Sequence, residues 1–465
     1  MKIELRFWEW LPILSYLIFL LAIGFRKTAK KSDEDSFILD SRRLTLPGFV
    51  ATLVTTWYGG ILGVGEFSYL YGISNWFVFG LPYYIFAILF AIFLAPKVRL
   101  SGMYSIPDQL YRHYGRQNGL IGTFYTLMMT LPAAYVLMVA FLLQLFTGWP
   151  LWVSVILSTL FSMAYVGYGG FRSVVRTDKL QFLLMFGGFG VLILSLGAKF
   201  GGLAFLKNHV PPTHFSLTGG NSWSFIIIWF FIALWTMIDP GFHQRCYAAR
   251  DEKVARKGIL ISVLFWFIFD AMTTTAGLYA RALLSDINPS LGYPLLAHRL
   301  LPPLLSGLFL TGLFATIMST VDSMFLLSSI TIGHDLWARL KGIPKVKYTR
   351  IGLAVSAIAS VIIALLVPSV VQIWYLVGTL FVPPLLLPLL GAYFPAWRLS
   401  AKMVTYNLVL AFGASLLWLV ISAFNSSGIM QLTAWLGIQP IYPGLAVSII
   451  IYIIGKLKKG GGRNC

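Results

Sequence analysis

Long apolar runs follow one another along the chain and are separated by short polar or Gly- and Pro-rich connections. A helix crosses a bilayer with roughly 20 mostly apolar residues, whereas the strands of a membrane barrel alternate between apolar and polar residues. The runs at 183–196 and 225–234 do not alternate. The pattern therefore predicts an all-α membrane protein with about 13 transmembrane helices. The predicted spans lie near 9–25, 47–73, 75–95, 119–147, 149–166, 180–198, 223–240, 258–280, 301–335, 351–367, 370–396, 403–424 and 440–455.

Composition and charge agree with a membrane protein. Only 11% of the 465 residues are charged, whereas a soluble protein has about 25%. The net charge of +19 would suit a nucleic-acid partner, but 29 of the 35 Lys and Arg residues fall on one side when alternate connections are assigned to opposite sides. This asymmetry follows the positive-inside rule. It predicts a plasma membrane protein (the inner membrane in bacteria) with its N-terminus outside and its C-terminus in the cytoplasm, and no nucleic-acid partner.

The span near 47–73 carries polar residues and glycines at its centre. Thr55 and Thr56 precede Gly59 and Gly60, and Glu66 follows further along. Adjacent glycines favour local unwinding, which frees backbone carbonyls to bind a hard cation. The same glycines also suit close packing between helices, so the pattern leaves both interpretations open.

The span near 301–335 carries hydroxyl groups along one face. Thr316, Ser319, Thr320 and Ser323 recur at steps of three and four residues. Such hydroxyls can bind a cation, or they can bond to carbonyls of their own helix. Asp322 points about 100° away from its neighbours around the helix. We therefore expect Asp322 to be a structural partner or a cavity-lining acid.

Asp178 stands where a basic connection becomes the span near 180–198. An acid in this place is either a solvated charge at the positive end of a helix or a station on a cation path. The sequence shows no Ser/His/Asp arrangement, no His cluster with metal-ligand spacing and no Gly-rich phosphate loop after a strand. We therefore expect a transporter rather than an enzyme, with no metal other than Na⁺ and no obligate protein partner.

Several segments resemble the signature regions of the sodium:solute symporter family, and they stand in the family's order. One of them is YGGFRSVVRTDKLQ at 168–181; the others are 103–115, 239–258 with 277–283, and 312–329. The resemblance implies the inverted-repeat fold of leucine-type transporters, with five helices in each repeat. It divides the chain into an N-terminal accessory helix with a cytoplasmic linker (1–46), a first repeat (47–198), an external loop (199–222), a second repeat (223–396), and two peripheral helices with a cytoplasmic tail (397–465).

The resemblance also implies that Na⁺ is the coupling ion and indicates its ligands. The backbone carbonyls of Leu53, Thr56 and Thr316 and the hydroxyls of Ser319 and Thr320 would form the sodium site. Asp178 matches the family's acid near the cytoplasmic exit. With Thr316 and Thr320 it would supply a second sodium site.

The implied function is sodium-coupled symport of a small organic solute by alternating access. Sugar carriers of the family have a polar side chain where Gly60 stands, which makes a sugar an unexpected solute. Glu66 has no assigned role: it could pair with a cationic solute, carry a proton or bond to a neighbouring helix. The residues expected around the solute and at its outer gate are Thr55, Trp57, Gly60, Trp235, Thr236, Trp374 and Tyr375.

Two other functions fit the same residues. A proton-coupled permease on this fold would use Glu66 or Asp178 to carry the proton, and uptake driven by a pH gradient without sodium would favour it. A transport-inactive membrane sensor would bind the solute without moving it. We expect no soluble output domain after the last predicted span, which disfavours the sensor.

Overall fold

The computed structural model of the chain describes residues 2–25, 34–342, 346–425 and 435–461. These residues form helices, and their one isolated β-bridge joins Leu44 to Ala249. The longer helices are α1 (Phe7–Gly24), α2 (Leu46–Trp57), α3 (Ile61–Tyr71), α4 (Leu81–Leu89), α5 (Ile106–Thr130), α6 (Ala133–Thr147), α7 (Leu151–Phe200), α8 (Trp223–Ala233), α9 (Pro240–Ala248), α10 (Glu252–Leu283), α11 (Pro303–Ile330), α12 (Val346–Leu366), α13 (Val370–Tyr393), α14 (Ala401–Asn425) and α15 (Ile441–Gly461).

Shorter helical segments continue or connect these helices. Five are α-helical, at Glu34–Leu39, Ala95–Leu100, Leu203–His209, Gly292–Leu300 and Arg339–Lys341. Three are π-helical, at Trp76–Gly80, Phe90–Leu94 and Thr331–Ala338. The 3₁₀ turns are Asp40–Arg42, Tyr58–Gly60, Pro212–Phe215, Leu234–Ile238, Pro289–Leu291, Pro395–Trp397 and Trp435–Gly437. Within the described ranges, 12 continuous helical stretches have the length and apolar character needed to cross a membrane.

The helix α7 has 50 residues, which at 1.5 Å per residue is about 75 Å and far exceeds one bilayer. It is interrupted at Gly170, whose φ of 60° lies in the left-handed region that glycine adopts readily. Before this break, α7 advances from Ser162 to Tyr165 while its contacts on α11 advance from Met318 to Asp322. The two helices are therefore parallel there.

After the break, the contacts between α7 and α11 run backwards. Asp178 bonds to Ser319, and Leu184 packs against Gly312. The two halves of α7 are therefore antiparallel, as the separate spans predicted near 149–166 and 180–198 require. Counting the halves separately raises the number of apolar segments from twelve to thirteen; that all thirteen cross a membrane stays a prediction.

Two interrupted helices pass through the middle of the molecule. One is α2 with α3, joined by the 3₁₀ turn Tyr58–Gly60; the other is α8 with α9, joined by the 3₁₀ turn Leu234–Ile238. Leu44, just before α2, bonds to Ala248 at the end of α9 (N to O, 3.0 Å). The two interrupted helices thus run in opposite directions, as the corresponding helices of an inverted repeat do.

The second interruption has no glycine, and its cause is a helix cap. Asp239 leaves helical geometry with ψ of 119°, and its Oδ1 accepts a hydrogen bond from the N–H of Phe242 at 2.9 Å. Pro240 follows at the first turn of α9, where its fixed φ and missing N–H are tolerated. A new helix therefore starts at this point, and the membrane stretch runs on to Ala248. The span predicted near 223–240 was too short at its end.

The Lys- and Arg-rich end of the molecule is held together by backbone carbonyls that accept from arginine. Arg99 donates to the carbonyls of Ala249 (2.5 Å) and Arg250 (3.2 Å). In the same loop Asp251 caps α10: the backbone N–H of Val254 donates to its Oδ1 at 2.8 Å and lowers the pKa of the carboxyl. Part of the predicted linker, residues 26–33, lies outside the described residues, as do residues 462–465 of the predicted tail.

The helix α1 is fastened to α11 by a buried carboxylate. Glu9 Oε1 accepts from Ser306 Oγ at 2.7 Å and lies 2.8 Å from His298 Nδ1. Its Oε2 accepts from the N–H of Arg6 at 2.9 Å. The backbone of Glu9 also packs against Gly307, where a Cβ would clash. The predicted division into accessory, repeat and peripheral segments agrees with this arrangement but stays a prediction.

Candidate functional site

Hydroxyl groups of α11 meet the interrupted helix α2 at the centre of the molecule. Thr320 Oγ1 donates to the backbone carbonyl of Thr56 at 2.7 Å, and Ser319 Oγ lies 2.8 Å from Thr55 Oγ1. All four residues are buried. Gly59 makes this approach possible, because a Cβ at residue 59 would clash with the Thr320 side chain. The structure therefore brings together Thr56, Ser319 and Thr320 as the sequence predicts.

Asp178 joins this group from the second half of α7. Its Oδ1 accepts from Ser319 Oγ at 2.6 Å, and its Oδ2 accepts from Thr52 Oγ1. The carboxylate thus touches both α2 and α11. The second sodium site that the resemblance implies for Asp178, Thr316 and Thr320 stays a prediction.

Leu53 and Thr316 are also buried in the same region. The Thr316 hydroxyl donates to the carbonyl of Gly312 at 2.7 Å, one turn back on its own helix. Its hydrogen is used by its own helix, whereas its oxygen lone pairs stay available. The atom that the resemblance implies as a ligand is the carbonyl oxygen of Thr316.

Arg245 of α9 is fully buried beside these hydroxyls. Its Nη2 lies 2.7 Å from Ser323 Oγ, 2.9 Å from Thr56 Oγ1 and 3.1 Å from Thr52 Oγ1. Sequence reasoning missed this residue because Arg245 was counted with the loop cations after a span that was predicted to end near 240. The only sequence signal is its place within the 239–258 segment.

Asp322 is buried on α11 and pairs with a tyrosine rather than with the hydroxyls of the candidate cation site. Both of its carboxylate oxygens are 2.6 Å from Tyr165 Oη, which donates from the first half of α7. Asp322 is therefore a structural partner between α7 and α11 in this structure. Glu66 lies on α3, and its Oε2 accepts from Ser290 Oγ of the 3₁₀ turn Pro289–Leu291 at 2.5 Å.

A cavity of about 140 Å³ lies next to this group, between the two interrupted helices. One enclosed water needs a cavity of roughly 10–15 Å³. This cavity is about ten times larger than that and has room for a small metabolite. Aromatic rings dominate its walls, and the charged residues of its lining are Asp239, Arg245 and Asp270. The aromatic residues of its lining are Trp57, Tyr58, Phe79, Tyr83, Tyr135, Trp229, Trp235, Phe242 and Trp374.

Three tryptophans of the cavity wall carry unused hydrogen-bond donors. The indole Nε1 atoms of Trp229, Trp235 and Trp374 are buried, and none makes a hydrogen bond of normal geometry with the described residues, although Trp235 lies near the Asp239 carboxylate and Trp374 near the Tyr135 hydroxyl. An unpaired buried donor is costly, so a bound solute with acceptor oxygens would stabilise the cavity. Because water can also fill this role, the donors indicate the polarity of a guest rather than its identity.

The structure separates the residues that the sequence grouped around the solute. Trp57, Gly60, Trp235 and Trp374 line the cavity, and Trp374 packs so closely on Gly60 that a Cβ there would clash. Thr55, Thr236 and Tyr375 do not line it. Thr55 faces Ser319 and Asp178, Thr236 is buried with no partner for its hydroxyl among the described residues, and Tyr375 donates to Gln439 at 2.5 Å.

One further group of residues has the composition of a metal site. Candidate ligand atoms of Asp108, His334 and Asp335 lie within 4.8 Å of one another. Arg339 already forms an ion pair with Asp108, and Ser105 donates to Asp335 at 2.5 Å. The group is thus a network of ion pairs and hydrogen bonds that holds the loop before α5 against the segment after α11.

Comparison with known proteins identifies the chain. The sequence model of the sodium:solute symporter family matches residues 37–382. The chain belongs to this family. It is therefore a sodium-coupled solute symporter, and the family's members are transporters.

Relatives and a solved structure extend the comparison. This symporter is 25% identical to the sodium/pantothenate symporter of Escherichia coli (strain K12) over 483 residues, which covers 96% of this chain and 95% of that protein. It is 27% identical to the sodium/pantothenate symporter of Haemophilus influenzae over 312 residues, 63% of this chain and 61% of that protein. A Na⁺-coupled sialic acid symporter, solved in a substrate-bound outward-open state, has the same fold, with a TM-score of 0.79, 17% identity and 97% of each chain covered.

Proposed function

We propose that this symporter binds Na⁺ between α2 and α11 and moves its solute through the aromatic cavity by alternating access. One observation supports the ion site above all: the Thr320 hydroxyl and the Thr56 carbonyl, from two different helices, are 2.7 Å apart. Na⁺ binds oxygen ligands of this kind, and interrupted transporter helices supply them. The proposed ligands are the carbonyls of Leu53, Thr56 and Thr316 and the hydroxyls of Ser319 and Thr320.

Coupling then follows from a difference in sodium affinity between two states. The ion binds best when α2 and α11 are close enough for their oxygens to replace its water, so it stabilises that state at the expense of the other. The Asp178 carboxylate accepts hydrogen bonds from Ser319 of α11 and from Thr52 of α2. We infer that this carboxylate lowers the cost of the ion's charge and receives the ion on its way to the cytoplasm.

The proposed solute is a small molecule with acceptor oxygens, and pantothenate is the first to test. The unpaired indole N–H groups of Trp229, Trp235 and Trp374 favour such a solute. The two pantothenate symporters support the same choice, since one of them aligns with nearly the whole chain. Membership of a sodium-coupled family favours sodium over the proton that Glu66 or Asp178 would carry in a permease.

The sodium site is tested by removing its two hydroxyls. Ser319→Ala and Thr320→Val should each raise the sodium concentration for half-maximal uptake by about tenfold, because a ligand worth about 1.4 kcal/mol is lost. Uptake of radiolabelled pantothenate into proteoliposomes, measured against a sodium series, checks this. If pantothenate is not a substrate, ²²Na⁺ binding to the purified protein gives the same comparison without a solute.

A matched control lies on the same helix. Thr311 of α11 is equally buried, and its hydroxyl donates only to the carbonyl of Gly307, at 2.7 Å. Thr311→Val should therefore leave the sodium dependence unchanged. An unaltered sodium dependence in the Ser319→Ala/Thr320→Val double variant would reject the site, and uptake driven by a pH gradient in sodium-free buffer would favour the proton-coupled permease.

A further inference from the structure

Arg245 places a permanent positive charge beside the proposed sodium ligands. A guanidinium stays protonated in proteins, and this one is fully buried. Its Nη2 is surrounded by the three hydroxyls of Thr52, Thr56 and Ser323 at 2.7–3.1 Å. Hydroxyl oxygens gathered around a buried cation are the kind of surrounding that a metal cation also needs.

The guanidinium and the proposed ion share their supporting residues. Thr56 meets Arg245 through its hydroxyl, and it meets Thr320 through its carbonyl. Thr52 meets Arg245 and also donates to Asp178. The helices α2 and α11 therefore contact both the guanidinium and the proposed sodium ion, and the Asp178 carboxylate lies close to both. If both cations were present, they would lie within a few ångströms of each other.

Few other groups hold Arg245 in place. On α9 itself, Nη1 lies 3.3 Å from Gln244 Oε1 and 3.5 Å from the carbonyl of Gly241. On α7, the ring of Phe171 lies 5.8 Å from the guanidinium carbon. Its Nε has no partner among the described residues. No carboxylate lies within ion-pair distance of the guanidinium in the described part of the chain, although the buried Asp178 and Asp239 are close enough to attract it. Its short hydrogen bonds are therefore mainly with the hydroxyls of α2 and α11.

The helix that carries Arg245 begins at a break in the chain. The segment α9 is the second half of an interrupted helix and is separated from α8 by the 3₁₀ turn Leu234–Ile238. Breaks of this kind are where transporter helices bend. A shift of α9 would withdraw the guanidinium from Thr52, Thr56 and Ser323 without unfolding any helix.

We propose that Arg245 is a tethered cation that competes with Na⁺. With the guanidinium docked on Thr52, Thr56 and Ser323, as seen here, the sodium site is disfavoured and the ion is released; with α9 withdrawn, the site accepts sodium. This inference rests on the proposed sodium site. It assigns Arg245 to ion release, a step for which the ligands themselves provide no driving force.

The test is equilibrium ²²Na⁺ binding to the purified full chain. Arg245→Gln removes the charge and keeps an amide donor, and it should lower the sodium Kd by about tenfold, since like charges a few ångströms apart repel strongly even at an effective dielectric of about 20. Arg245→Lys keeps the charge and should stay within about threefold of the wild type. A weaker sodium affinity in Arg245→Gln, or an equal gain in Arg245→Lys, would overturn the proposal.

Two further variants keep the result interpretable. Arg99→Gln removes a guanidinium that binds only backbone carbonyls at the basic end, and sodium affinity should not change. If Arg245→Gln does not fold, Ser323→Ala removes the nearest hydroxyl from the guanidinium and should shift the Kd in the same direction; an unchanged or weaker affinity there counts against the proposal. If Ser319→Ala and Thr320→Val leave sodium binding intact, the sodium site itself fails, whatever Arg245→Gln shows.

Discussion

Gly59 and Gly60 are neighbours in sequence, but each makes room for a different partner. A Cβ at residue 59 would clash with Thr320, and a Cβ at residue 60 would clash with the ring of Trp374. The first clash lies at the proposed ion site and the second at the cavity. Gly59 therefore belongs to the proposed ion site, and Gly60 belongs to the solute cavity.

Alanine at each position should reveal this separation. Gly59→Ala should raise the Kd for Na⁺ by at least about tenfold, because Thr320 must move away from the Thr56 carbonyl. Gly60→Ala should weaken solute binding and leave sodium affinity in the absence of solute near the wild-type value. Sodium and pantothenate binding to the purified variants, measured separately, checks both expectations.

The control for both variants is Gly63→Ala on α3. Its added Cβ would lie 3.4 Å from Trp374, an ordinary van der Waals contact, so both affinities should persist. Equal losses of sodium binding in Gly59→Ala and Gly60→Ala would show that the two positions act together.

Residue type and spacing indicate the two polar helices, because Ser319 and Thr320 stand on a hydroxyl-rich face and Thr56 precedes paired glycines. That these residues form one site is implied only by the family resemblance. Arg245 was missed because its neighbours are far away in sequence: Thr52 lies 193 positions earlier. A charged residue after an apolar run has the pattern of a loop, and only packing shows that it is buried.

Among the elements, the two interrupted helices show how differently a break can be encoded. The turn at Tyr58–Gly60 contains two glycines, and local unwinding is one of the two interpretations that their pattern leaves open. The turn at Leu234–Ile238 has none, and it results from the Asp239 cap and the proline that follows. Caps depend on local backbone geometry, so the sequence pattern of an apolar run does not show where a helix restarts.

The break in α7 gives a prediction about stability. At Gly170 a Cβ would lie 2.5 Å from the carbonyl oxygen of Phe37, and φ is 60°. Gly170→Ala should therefore lower the free energy of unfolding by about 1–3 kcal/mol, the usual cost of a strained backbone. Thermal unfolding of the purified protein in detergent measures this as a lower midpoint.

Gly187, on the same helix, is the comparison. No atom lies within 4 Å of a Cβ built there, so Gly187→Ala should leave the midpoint unchanged or raise it slightly. If Gly170→Ala unfolds at the wild-type temperature, the antiparallel arrangement of the two halves of α7 does not depend on this glycine.

For the whole molecule, we propose the orientation that the basic residues indicate. The Lys- and Arg-rich end, with α10 starting at Glu252, faces the cytoplasm, and the loop that contains Leu203–His209 faces outward. Lys207 and Lys253 are both exposed, one at each end. In a Cys465→Ser background, Lys207→Cys should react with a membrane-impermeant maleimide in whole cells, and Lys253→Cys should react only after lysis.

The paired lysines control for each other because both are exposed, and the native Cys246 is buried. Labelling of Lys253→Cys in intact cells, with protection of Lys207→Cys, would reverse the orientation. The sodium:solute direction of transport would then have to be reconsidered together with the exit role of Asp178.

The fastening of α1 has a consequence for how the protein is made. Ser306 lies 297 positions after its partner Glu9, so α1 cannot complete its polar contacts until about three hundred further residues have been synthesised. Until then the Glu9 carboxylate has no hydroxyl partner. The packing of α1 is therefore completed only when α11 has been made and inserted.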